Sequence, residues 1–153
     1  MAEAAVLRFQ RFDEFDAASL YAVLKLRFDV FVLEQASLYP ELDGRDAGAL
    51  HLVAGAPEAP TGTLRILDLD GEAAAPIWIG RIAVAPAARG SGLGRRMIDA
   101  ALAEIALRAP GRTAALGAQL RMERYYESFG FRRSSEVYDD GGIDHVDMVR
   151  PPA

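Results

Sequence analysis

"AARGSGLGRRM", residues 87–97, alternates three glycines, Gly90, Gly92 and Gly94, and flanks them with Arg89, Arg95 and Arg96. An apolar strand candidate, "PIWIGRIAV" (76–84), leads into it through Ala85 and Pro86. An apolar stripe at helical spacing leaves it: Met97, Ile98, Ala101, Leu102 and Ile105. A glycine-rich turn that opens a helix suits a phosphate, because unshielded N–H groups and the positive end of the helix dipole converge there. A P-loop does not fit, since Arg95 follows Gly94 where a Gly-Lys-Ser/Thr ending is required. The dinucleotide fingerprint Gly-x-Gly-x-x-Gly fails as well, its third glycine falling one residue early. The spacing that does fit is Arg-x-x-Gly-x-Gly, on Arg89, Gly92 and Gly94.

Upstream, "VLRFQRF" (6–12) alternates as a strand, and Asp13 to Asp16 offer caps for a helix. That helix carries Leu20, Val23, Leu24, Arg27, Val30 and Phe31. "YPELDGRDAG" (39–48) is a loop, and "ALHLVAG" (49–55) and "TGTLRILDLD" (61–70) are strands parted by "APEAP". Downstream, the helix after the glycines runs to about Arg108 and stops at Pro110 and Gly111. "TAALGAQ" (113–119) is a short strand and "LRMERYYESF" (120–129) a helix closed by Gly130. Phe131 begins a strand towards Tyr138, "DDGG" (139–142) turns, and "IDHVDMV" (143–149) returns. This order predicts one α/β domain over residues 1–153, with helices covering a mostly antiparallel sheet.

The 153 residues are 51% hydrophobic and 25% charged, with net charge −5. A nucleic-acid binder normally carries a basic excess, so that class is disfavoured. The absence of cysteine removes disulfides, thiolate metal sites and a thiol nucleophile, and no metal site is expected. Neither a signal peptide nor a run of about 18 apolar residues is visible, which predicts a cytoplasmic protein with no membrane partner. Two acidic stretches stand out: Glu41, Asp43 and Asp46, and Asp139, Asp140 and Asp144. Brought together in space, they would favour a cationic substrate.

"ERYYESFGF" (123–131) stands one strand and one helix beyond the glycines. Its Tyr126, Gly130 and Phe131 and the Arg89–Gly92–Gly94 spacing together resemble the two motifs of the GNAT superfamily of acyl-CoA-dependent N-acyltransferases. "LYAVLKLRFDVFVLEQ" (20–35), Tyr39, Asp43, Gly44, Asp46, "HL" (51–52), "GAQ" (117–119), "DGGI" (140–143), His145 and Met148 resemble the ElaA branch of that superfamily. The resemblance spans nearly the whole chain. It implies a mostly antiparallel sheet with a V-shaped splay and helices on both faces. It implies acetyl-CoA as donor and a small-molecule or peptide amine as acceptor, in a monomer or homodimer. A non-catalytic module that senses acyl-CoA is the alternative.

On that resemblance, Ile82, Ala83 and Val84 offer backbone to the pantetheine arm. A backbone N–H near Ile82 meets the acyl oxygen. The segment Arg89, Gly90, Ser91, Gly92, Leu93, Gly94 and Arg95 holds the pyrophosphate, with arginine charge added from Arg89, Arg95 and Arg96. Gln119 occupies a position where the superfamily often has a cofactor-contacting Asn. Tyr126 is the general acid for the leaving thiolate, because a phenol with an ordinary pKa near 10 is protonated at neutral pH. Four residues are candidates for the base: Glu34, which also qualifies as acceptor-pocket wall, Asp43, His51 and His145. The alternation of His51 with Ala49 and Val53 favours a core-facing ring for it, and the position of His145 on the last strand favours the same reading there.

Overall fold

The computed structural model describes residues 3–152. Eight strands form one sheet: β1 (Leu7–Arg11), β2 (Leu50–Ala56), β3 (Ala59–Leu67), β4 (Ile77–Val84), β5 (Ala114–Gln119), β6 (Arg132–Arg133), β7 (Tyr138–Asp140) and β8 (Ile143–Arg150). Their order is β1-β2-β3-β4-β5-β8-β6, with β7 also on β8. Every pairing is antiparallel except β4 with β5. Three α-helices accompany the sheet among the described residues: α1 (Ala17–Phe28), α2 (Leu93–Arg108) and α3 (Glu123–Glu127).

Successive side chains of a strand point to opposite faces, so β3 assigns the helices to their sides. Leu64 and Ile66 join the core cluster that holds Leu93, Met97, Ile98 and Ala101 of α2, together with Tyr126 of α3. Arg65, between them in sequence, instead shares Asp46 with Arg27 of α1. The helices therefore cover both faces, as the resemblance implied. Strand β2 is buried from Leu50 to Ala54 because it lies between these two layers.

Helix α1 begins where Asp16 accepts a hydrogen bond from the Ser19 N–H at 2.8 Å. Its apolar stripe continues past Phe28 into a π-helical turn, Asp29–Glu34, which buries Val30. Such turns are uncommon and occur frequently at functional sites. One expected strand is broken. Between β6 and β7, Ser134 to Val137 leave the ladder because four residues there oppose only Val146 and Asp147. Ser134 N–H bonds to Asp147 O, and Asp147 N–H bonds to the Ser135 hydroxyl, both at 2.8 Å. No helix among the described residues is long and apolar enough to cross a membrane.

Candidate active site

The sheet opens next to the glycine stretch. Strands β4 and β5 pair only at Ile77 with Ala114 and Trp78 with Ala115. Beyond Trp78 they separate, because β5 follows β8 in unbroken register from Ala114 to Gln119. The β5-facing edge of β4 from Ile79 to Val84 consequently pairs with no described strand. A bulge distorts the same stretch: Arg81 and Ile82 together oppose Leu64, and Arg81 takes φ 50°. A β-branched or long side chain held at positive φ is strained, and bulges re-aim the backbone beside functional sites.

At the end of β4 the chain turns through Pro86–Ala88 into α2. Gly90 and Gly92 sit at φ 79° and 84°, the left-handed region that favours glycine. Gly92 caps α2 without a side-chain hydrogen bond, and the helix's first turn holds no acid. The N–H groups from Gly90 to Arg95 donate to no described residue; the first paired one is Arg96 N–H, to Gly92 O at 3.1 Å. A run of free donors at the start of a 16-residue helix is a ready anion site.

The arginines around this loop are largely engaged. Arg89 forks onto Glu34 with both contacts at 2.6 Å and donates Nε to Val84 O at 3.0 Å. Arg96 bonds to Ala5 O, while Arg95 lies over the Phe129 ring and donates to the Ser128 hydroxyl. Of the three, only Arg89 is paired with an acid, and it acts as a brace between β4 and the π-helical turn; Arg95 and Arg96 have neutral partners and keep their charge beside the loop. Gln35, next to Glu34, accepts from Gln119 Nε2 at 2.8 Å at the end of β5. Two consecutive residues therefore tie the two lips of the wedge together. Neither the pair nor its span was legible in the sequence, since the partners lie 55 and 84 residues away.

A cleft of about 320 Å³ occupies the wedge and is lined, among others, by Ile82, Gln119, Tyr126 and His145. Tyr126 is 9% exposed. Its hydroxyl has no partner among the described residues, yet is not sealed from solvent. Burial, with a smaller push from Tyr125, lifts its phenol to about 12. Tyr125 turns the other way, packing edge-on against Phe129 and lying near Gly94.

Two of the candidate bases, Glu34 and His51, stand outside the cleft. Glu34 does not line the cleft; the Arg89 fork takes its carboxylate and holds it below the ordinary range. His51 is 2% exposed, stands edge-on to Phe15, and its Nε2 lies 2.9 Å from Asp46 O. Burial lowers its pKa, and it too lies away from the cleft. Asp43 does line the cleft, but Arg65 forks onto it at 2.6 and 3.0 Å and holds it well below the usual carboxylate range. His145 alone of the four lines the cleft without a charged partner.

The two acidic stretches do meet there, through Glu41, Asp43 and Asp140. The first stretch, however, is neutralised by arginines, whereas Asp140 lines the cleft with no ion pair among the described residues. Arg27 bonds to Glu41 at 2.7 Å and to Asp46 at 2.6 Å, and Arg81 reaches Glu41 at 2.8 Å. Arg65 pairs with Asp43 and Asp46. Three arginines thus balance three acids in one partly buried network.

A wedge between the two central strands, with a glycine loop opening a helix beside it, defines an acyl-CoA N-acyltransferase fold. Comparison with known proteins agrees. The family described as acetyltransferase (GNAT) domain matches residues 18–150. A UPF0039 protein of Mycobacterium tuberculosis is 40% identical over 141 residues, spanning 90% of this chain and 88% of that protein. The crystal structure of Escherichia coli ElaA is 32% identical with a TM-score of 0.87, covering 95% of this chain and 99% of that one. That of an acyl-CoA N-acyltransferase from Pseudomonas aeruginosa is 33% identical with a TM-score of 0.89, covering 96% and 99%. The chain belongs to the GNAT acetyltransferase family, in its ElaA-like branch.

Proposed function

We propose that this protein transfers an acetyl group from acetyl-CoA directly to a primary amine of a small molecule or peptide. The observation that carries the reading is a convergence. An unpaired strand edge and a buried, protonated tyrosine border one wedge, and that edge leads directly into a run of N–H groups with no partner among the described residues.

The edge at Ile82, Ala83 and Val84 binds the pantetheine arm as an added strand would. The N–H groups from Gly90 to Arg95, through Ser91, Gly92, Leu93 and Gly94, hold the pyrophosphate, while Arg89 keeps their loop in place. The bulged backbone near Ile82 donates to the acyl oxygen, where charge builds during transfer. Bound acetyl-CoA supplies the activated acyl group. Tyr126 gives its proton to the departing sulfur, and its raised pKa ensures that it enters the reaction protonated. Gln119 closes the far lip against Gln35 and borders the same cleft.

The test is release of CoA thiol from acetyl-CoA across a panel of polyamines, aminoglycosides, lysine peptides and amino acids. At least one amine is expected to raise release well above the rate without amine. CoA is also expected to raise the melting temperature where ATP and NAD do not. Binding of acetyl-CoA with no release against any amine would favour a sensing module instead.

A further inference from the structure

An amine that arrives as ammonium must lose a proton before it can attack, and the acid Tyr126 cannot also take it. Of the four bases that the sequence offers, Glu34 and Asp43 are held by arginines and His51 lies in the core. We infer that His145 is the general base of the acyl transfer, a step that rests on the acetyltransferase reading above.

Its ring is set up for that task. Nδ1 lies 2.7 Å from Ile143 O. A carbonyl can only accept, so Nδ1 carries the hydrogen and the neutral ring keeps its lone pair on Nε2. Nε2 has no partner among the described residues and is not sealed from solvent. The ring stacks on Tyr138 with centroids 6.0 Å apart, and the Tyr138 hydroxyl is fixed to Asp147 at 2.6 Å. Orientation therefore comes from two sides. The groups around it are Tyr138 and Asp140 from β7, Gln119 opposite it in register on β5, Arg121 just after β5, and Asp144 and Asp147 on its own strand.

The proton balance closes. His145 Nε2 takes one proton from the ammonium and passes it to solvent. The nitrogen lone pair forms the bond to the acyl carbon as the carbon–sulfur bond breaks. Tyr126 protonates the sulfur and recovers a proton from the new amide nitrogen. Each turnover releases one proton.

The experiment compares the wild type with His145→Gln, using the best amine of the panel and acetyl-CoA. The Gln variant should lose about 30-fold or more in kcat near neutral pH, within the usual range for a positioned base. Its dissociation constant for acetyl-CoA should stay within about twofold. The loss should shrink as pH rises towards the pKa of the amine, where free amine needs no base. A second measurement keeps the native chain. The protein has two histidines, and His51 is 2% exposed, so diethyl pyrocarbonate should modify one ring. That modification should abolish turnover, spare acetyl-CoA binding and be reversed by hydroxylamine. A His145→Gln kcat within threefold of wild type, a loss equal at every pH, or turnover surviving modification would overturn the assignment. Failure of the wild type to release thiol with any amine would instead overturn the acyl-transfer reading beneath it.

Discussion

Tyr126 illustrates how one residue's setting fixes its chemistry. Burial against Phe131, whose ring stands edge-on at 6.4 Å, raises its pKa to about 12. A raised acid stays competent below that value and is lost only above it. The rate of acetyl transfer should accordingly show no alkaline limb from this group below about pH 11. A kcat–pH profile with a limb near 10 that vanishes in Tyr126→Phe would contradict this. The role proposed for Tyr126 was legible because its motif is local, four residues before Gly130. The setting of Glu34 was not. Its neighbours gave no hint of Arg89, because an ion pair between elements leaves no periodic trace in either.

Among the elements, the glycine loop decides how the donor is held. A Cβ on Gly92 would meet nothing within 4 Å, so space is not what requires glycine there; φ 84° is. Holding an L-residue in that region costs about 1–2 kcal/mol. Gly92→Ala should therefore lower the melting temperature by about 2–8 °C and weaken acetyl-CoA binding in calorimetric titration. Unchanged binding would mean that the loop does not carry the phosphates. Strand and helix positions were readable from alternation and from the stripe on α2. The π-helical turn after α1 was not, since the apolar spacing of Val30 and Phe31 continues the helix and does not register one wider turn. The break between β6 and β7 was equally hidden: it depends on Asp147, on another strand, bonding to Ser134 and Ser135.

At the scale of the whole molecule, the Arg27–Glu41–Arg81–Asp43–Arg65–Asp46 network joins α1, the 39–48 loop, β3 and β4 along one wall of the cleft. Arg27 is 1% exposed. Removing one member of a buried ion network strands the others, so Arg27→Met should cost about 3–5 kcal/mol, measured by denaturant unfolding. The network also shapes acid stability. Asp43 and Asp46 both titrate below their ordinary value. Burial opposes this at Asp46, where Arg27 and Arg65 outweigh it. Depressed carboxyls contribute stability that is full above their unfolded pKa of about 3.9 and is lost as pH falls through the folded value. Asp43→Asn should flatten the fall in melting temperature below about pH 4; an unchanged slope would count against the network. The mostly antiparallel sheet covered by helices followed from the order of elements; the strand order, with β8 between β5 and β6, did not. The balance of charge in the cleft wall did not, because acids 41–46 and arginines 27, 65 and 81 meet only in the fold. The most direct test of the central claim is Tyr126→Phe, assayed with acetyl-CoA and a turned-over amine. The account predicts a fall in kcat of about a hundredfold with acetyl-CoA affinity kept within about twofold. Equal loss of rate and affinity, or no loss of rate, would contradict it.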